Sequence, residues 1–574
     1  MKVIIQTTLI IAFTILNGKG QQLITPFDKS NEVETTTYTE CINFYKQLSK
    51  QSPIIKVIEK GNTDAGYPLH LVLLNTAKKI TANDFKNKVV ILINNGIHAG
   101  EPDGIDASML LARDIVTHKI NLPQNVVLAI IPVYNIGGSL NRNSFTRVNQ
   151  NGPLSYGFRG NAQNLDLNRD FIKCDSKESI AFAEIFHQLN PQIFIDTHVS
   201  DGADYQHTMT LLTTQHNKLG GVVGNFLHKV FEPAIYKGMQ QAKWDICPYV
   251  NFETANPDKG WQAFYDAPRY SSGYAALFGT MAFVAETHML KPFNERVKST
   301  YALLQTIINT ASFYANDIIN NFSKQQKEIG LSKHIAASWI MNKSITDTIQ
   351  FKGYEAAYKK SDVTGFERLY YDHTKPFTKQ VLFYNYYTPT KIINKPKAYV
   401  IPVGWHHVIY LLKKNNVTLY PLLKDTTITV TTYYIKSFTS ATKPYEKHFK
   451  HNAVTLDTLK QTIAFKKGDY YIPTGFYTDR FLMEVLEPET DDSYFKWNFF
   501  DAVLQQKEGY SNYRWEDLAY DYLQKNEWLQ NSFKQKLQTD SAFAQNANAQ
   551  LYFIYKNSPY YEKEFMRYPV FRID

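Results

Sequence analysis

The chain has 574 residues, too many for one ordinary domain, so two or three domains are expected. Apolar residues make up 44% and charged residues 20%, both near globular averages, so real cores can be buried. The formal net charge of +9 is small for this length, and Lys and Arg are scattered without a basic block, so no nucleic-acid partner is expected.

In chain order, residues 1–20 come first. Lys2 precedes a mostly apolar stretch from Val3 to Leu16, and Gly18 and Gly20 place small residues at −3 and −1 ahead of Gln21. This pattern predicts a secretory signal peptide cleaved near Gly20/Gln21, and hence a periplasmic or extracellular protein. The stretch is shorter than the roughly 20 residues a membrane-spanning helix needs. No second hydrophobic run follows, so no membrane span is expected after signal removal. No Cys lies near residue 20, which argues against a lipid anchor.

Periodicity then predicts a helix over 38–48, strands over 54–58, 69–74 and 89–94, a helix over 105–116 and a strand over 126–133. A helix over 179–189 and strands over 193–197 and 280–285 follow. Strands alternating with helices through residues 50–300 indicate an α/β domain with a mixed, mostly parallel sheet flanked by helices. In such sheets chemistry gathers beyond the carboxyl ends of strands, where His98, His198 and Glu286 fall. The character changes after about Lys324. A second mixed α/β region is expected there, with strand, helix and strand over 397–420 and strands over 426–438, 470–472 and 481–486. Residues 514–556 read as helical. The expected division is 1–20 signal, 21–325 catalytic domain and 326–574 accessory region. The three cysteines, Cys41, Cys174 and Cys247, allow one disulfide at most and form no CxxC pair, which excludes a cysteine-built zinc site.

The chemistry centres on Gly96-Ile97-His98-Ala99-Gly100-Glu101, directly after a strand. A His and a Glu three apart can both reach one metal, and flanking glycines let the backbone turn them inward. His98 is the one histidine of the 15 with Glu at +3. Ile193–His198 is an apolar strand ending in a second histidine. Two His and one Glu leave a fourth position open, the arrangement of a catalytic rather than a structural zinc. Asp201 is a rival ligand on a loop. In Asn164-Leu165-Asp166-Leu167-Asn168-Arg169-Asp170, alternation places Asp166, Asn168 and Asp170 on one side. His406-His407 reads as a solvated helix start, not a second metal site.

Four segments in order are similar to the zinc metallocarboxypeptidases, the carboxypeptidase A-like family. They are His98-x-x-Glu101, Asp166-Leu-Asn168-Arg169, His198 after an apolar strand, and Glu286 in Phe283-Val-Ala-Glu286. The resemblance covers roughly residues 40–300, and the rest resembles more vaguely the accessory region of large exported bacterial members. It implies a carboxypeptidase fold and one Zn2+ per chain on His98, Glu101 and His198. It implies Glu286 as the general base that takes a proton from the attacking water, and Asp166 as the partner that orients the first zinc histidine. Asn168 and Arg169 would grip the terminal carboxylate of a peptide or protein substrate. Arg147 matches the arginine that polarises the scissile carbonyl, with Arg142 and Arg159 as nearby competitors. Tyr270 and Tyr274 fall where the family keeps a substrate-capping tyrosine, Tyr274 being preferred. Two other readings are a deacylase of N-acyl amino acids and a surface binding protein that lost its chemistry.

Overall fold

The computed structural model describes residues 23–76, 85–252 and 257–574. The signal peptide expected over 1–20 lies outside the described residues. Among those described, no helix is long and apolar enough to cross a membrane.

Strands β1 (Ile55–Asn62), β2 (Pro68–Leu74), β3 (Val89–Asn95), β4 (Val126–Ile131), β5 (Ile193–Ser200), β6 (Met209–Thr213), β7 (Cys247–Pro248), β8 (Trp261–Gln262) and β9 (Met281–His288) succeed one another to residue 288. All but β8 form one sheet, ordered β1-β2-β4-β3-β5-β9-β6-β7. The central strands β4, β3, β5 and β9 are mutually parallel. β2 joins β4, and β6 joins β9, antiparallel. The sheet is therefore mixed with a parallel centre, as the alternation of elements predicts.

Successive residues of the central strands feed two cores. Ile91, Ile93, Ile195 and Phe283 pack under the helices Asp103–Val116 and Phe293–Phe313. Val90, Leu92, Phe194 and Ala282 face the other way, against the helix Lys177–Leu189. That second core continues into the C-terminal region through Tyr399, Ile409, Phe481 and Trp497. Burial of one continuous apolar layer joins the two regions.

Beyond the helix Ala315–Leu331, β10 (His334–Met341) pairs with β13 (Tyr387–Asn394). β11 (Asp347–Lys360) and β12 (Glu367–Tyr384) make a long hairpin whose base meets β8. β14 (Ala398–Ile401), β15 (Tyr420–Pro421), β16 (Thr426–Ser440), β17 (His451–Phe465), β18 (Tyr470–Pro473) and β19 (Phe571–Ile573) build a six-stranded sheet. Residues 481–486, expected as a strand, lie instead in the helix Asp479–Leu486. Every residue from Phe481 to Leu486 is buried, and a short apolar run buried all round carries no period to separate strand from helix. His406 and His407 are exposed at the start of the helix His406–Lys414. Cys41, Cys174 and Cys247 are buried free thiols.

Candidate active site

β3 ends at Asn95, and the turn after it carries His98 and Glu101. Gly96 takes φ +67°, a left-handed conformation that side chains disfavour. A Cβ on Gly100 would lie 2.6 Å from Cδ of Arg147, so glycine lets that arginine cross the loop. The helix Asp103–Val116 follows and is pinned by a buried pair. The Arg296 guanidinium donates to Asp103 at 2.8 Å, and the Thr287 hydroxyl, beside Glu286 on β9, donates to the same carboxylate at 2.5 Å. On the neighbouring strands the parallel register sets His198 of β5 against Glu286 of β9. Asp196, two residues before His198, shares its face of the sheet.

Three side chains converge at this point. His98 Nδ1 lies 3.1 Å from one oxygen of Glu101, and His198 Nδ1 lies 3.1 Å from the other. One ligand atom from each of the three is within 4.8 Å of the others. Each imidazole is held from behind: Nε2 of His98 meets Asp166 Oδ1 at 2.9 Å, and Nε2 of His198 meets Asp196 Oδ2 at 3.0 Å. A carboxylate on the remote nitrogen fixes the tautomer and turns the near lone pair inward. His98 Nδ1 is buried and, despite its closeness to Glu101, is in hydrogen-bonding geometry with nothing. Two inward imidazole nitrogens, one of them without a partner, and a carboxylate fit a zinc ion with an open position.

The electrostatics agree. Burial raises the Glu101 carboxyl, but the charges of His98 and Arg147 hold it well below the usual range. Burial lowers His198, yet Asp196 keeps it well above an ordinary imidazole. A metal ligand must be deprotonated, so metal binding at these residues is coupled to proton release.

The cluster opens into a cavity of about 460 Å3 lined by Arg147, Arg159, Asn168, Arg169, Tyr270 and Glu286 among others. Arg147 reaches Glu101 at 3.0 Å. Arg159 donates twice to Asp166, at 3.1 and 2.8 Å. Arg169 lies over the ring of Tyr270, 4.4 Å from its centroid. Asn168 Oδ1 accepts from the Ser271 amide at 3.2 Å. Glu286 keeps partial exposure at the cavity wall. Burial, with Glu101, Asp196 and Asp201 nearby, pushes its carboxyl up to about 8 against the pull of His198.

Residues 41–201 match the family model for zinc carboxypeptidases, Peptidase M14, a span that takes in all three converging side chains. That segment is similar to the zinc carboxypeptidases. The chain is 20% identical over 479 residues to carboxypeptidase 2 of Trichophyton rubrum, covering 79% of this chain and 81% of that one. Carboxypeptidase 2 of Trichophyton equinum is 20% identical over 459 residues, 75% of this chain and 78% of its own. Likeness over 79% of the chain extends past residue 325, so the C-terminal region shares in it. Among solved structures, a metallo-carboxypeptidase from Burkholderia cenocepacia is 19% identical with TM-score 0.36, covering 47% of this chain and 68% of its own. Carboxypeptidase A from Helicoverpa armigera is 15% identical with TM-score 0.37, covering 49% and 75%.

Some residues expected at this site lie elsewhere. Tyr274, the preferred capping tyrosine, is fully buried in the second core among Phe171, Phe186 and Phe278. Its hydroxyl donates to Asn415 at 2.7 Å, so an apolar wall and a satisfied hydroxyl hold it there, away from the cavity. Tyr270, one residue before the helix Ser271–Leu277, lines the cavity instead. Arg142 is tied to the carbonyls of Thr35, Thr36 and Ser155. Asp201 is exposed and outside the converging trio. The expected alternation over Asp166–Asp170 gives way to a tight turn at Leu167–Arg169. That turn carries Asp170 into the interior, where it pairs with Lys173 and caps Ser176 and Ser179. Sequence reasoning assigned no role to Asp196, although its i, i+2 spacing to His198 on a strand was a usable signal. It also passed over Tyr249, which lines the cavity from a segment without periodicity.

Proposed function

We propose that the protein removes residues from the C-terminal ends of peptides or proteins, with one zinc ion on His98, Glu101 and His198 and Glu286 as general base. The observation that carries this reading is the placement of Glu286, in register with His198 and facing the same cavity, with its carboxyl at about 8. A carboxyl poised near neutrality can take a proton from water and return it to a leaving amine. When bound, zinc supplies Lewis acidity here, enough to make water nucleophilic near neutral pH. Arg169 and Asn168 bind the terminal carboxylate of the substrate, the planar guanidinium bonding it at two points. Arg147 donates to the carbonyl oxygen as negative charge builds on it. Asp166 orients His98, and Tyr270 covers the bound substrate beside Arg169.

Residues 21–325 form the catalytic unit and residues 326–574 an accessory unit in this reading. Export to the periplasm or the outside rests on the pattern of residues 1–20. The test compares zinc-loaded enzyme on one peptide with a free and with an amidated C-terminus. Turnover of the free form, lost on amidation and lost in Arg169→Ala, is expected. Equal hydrolysis of both would overturn the carboxylate-binding role, and faster release from an N-acyl amino acid would favour a deacylase.

A further inference from the structure

β16 and β17 form a ribbon in the C-terminal region, and its connecting loop, residues 441–450, reaches the catalytic region. At the tip, Tyr445 and His448 exchange amide-to-carbonyl bonds of 2.8 and 3.1 Å, closing a two-residue turn. The central residues Glu446 and Lys447 have φ +46° and +77°. A turn with both central φ values positive is built for Asn-Gly, so a Glu-Lys pair there is strained. Strain of this kind persists where the surroundings enforce it, and it clusters at functional sites.

The strained turn aims Glu446 at one particular group. Its Oε2 accepts from the backbone N–H of Asp166 at 2.8 Å, across 280 residues of chain. Asp166 is the junction of the site. One carboxylate oxygen holds His98 at 2.9 Å and also accepts from the Asn168 amide at 2.9 Å, while the other takes Arg159. A single bond to that peptide group therefore bears on the orientation of His98 and on the turn presenting Asn168 and Arg169. The loop has separate anchors: His448 pairs with Asp175 at 2.8 Å, and Lys450 donates to the Asp491 carbonyl at 2.9 Å. Loss of Glu446 leaves the loop docked.

We propose that Glu446 is a positioning residue of the active site, through which the C-terminal ribbon holds the Asp166–Arg169 segment in working geometry. This rests on the reading of the site given under Proposed function. The test uses the full chain as wild type, Glu446→Ala, Glu446→Gln, and Glu446→Asn combined with Lys447→Gly. Zinc affinity is read by chelator competition without substrate, kcat and KM on a C-terminally free dipeptide, and Tm by thermal melting. Glu446→Ala is expected to lose about fivefold in zinc affinity and to raise KM by a similar factor, the scale of one hydrogen bond. Glu446→Gln keeps an acceptor oxygen and stays near wild type. The Asn-Gly variant relieves the turn, so it melts no lower than wild type while losing as much zinc affinity as the alanine variant. Wild-type zinc affinity and KM in both the alanine and Asn-Gly variants would overturn the proposal and leave the site reading standing. A wild-type chain that binds no zinc would overturn both.

Discussion

The central sheet and the C-terminal ribbons are both strand-built, but they are held in different ways. β3, β4 and β5 are buried at every residue. β11, β12, β16 and β17 are exposed along much of their length; β11 and β12 are anchored near their base, and β16 and β17 reach the catalytic region at their connecting loop. In the sheet, apolar burial fixes position, and of the buried polar residues of β5, His198 faces the candidate metal site with Asp196 behind it. In the ribbons, pairing fixes shape, and contact with the site is made at a tip.

The largest effect that sharpens this contrast is chemical. Glu286→Gln should lose about 10²–10⁴-fold in kcat while keeping zinc and melting like wild type. A steady-state assay with a metal count checks it, and full activity would remove Glu286 from the mechanism. Next comes the core the two regions share. Trp497 is fully buried there, and Trp497→Ala should cost about 3–5 kcal/mol. Calorimetry should show one transition shifted as a whole; a separate early transition would mean that the regions unfold independently. Asp196→Asn should weaken zinc binding by about 10–100-fold in chelator competition, because it loosens the grip behind His198. An unchanged affinity would break the argument for that carboxylate.

The smallest effect concerns the seam between sheet and ribbon. His207 Nδ1 donates to the Asp245 carbonyl at 3.0 Å, and Nε2 accepts from the Lys352 amide of β11 at 3.2 Å. Burial pushes this imidazole down to about 4, so the fold favours its neutral form. The stability it contributes is complete above the unfolded value near 6.5 and is lost as pH falls toward 4, about 2 kcal/mol of it by pH 5. His207→Gln cannot titrate and should flatten the dependence of Tm on pH between 7 and 5. Parallel curves for the two proteins would rule this coupling out.

The same contrast explains what could be read from sequence. The buried strands that precede His98 and carry His198 and Glu286 announce themselves by apolar runs, and family likeness orders them. Asp166, Asn168 and Arg169 were identifiable as residues, but their tight turn was not, because D-L-N-R alternates like a strand. Tyr270 and Tyr274 sit one turn apart in one short segment. Tertiary contacts, with Phe171, Phe186, Phe278 and with Asn415 141 residues later, show which of them turns inward. The Glu446 contact spans 280 residues and has no local pattern. Long-range polar contacts of this kind follow from tertiary packing.

The central claim is that His98, Glu101 and His198 hold one zinc ion. Elemental analysis of the purified protein, wild type beside His198→Ala, tests it most directly. One zinc per chain in the wild type and almost none in the variant is the predicted result. A zinc-free wild type, or a variant that keeps its full zinc, would contradict it.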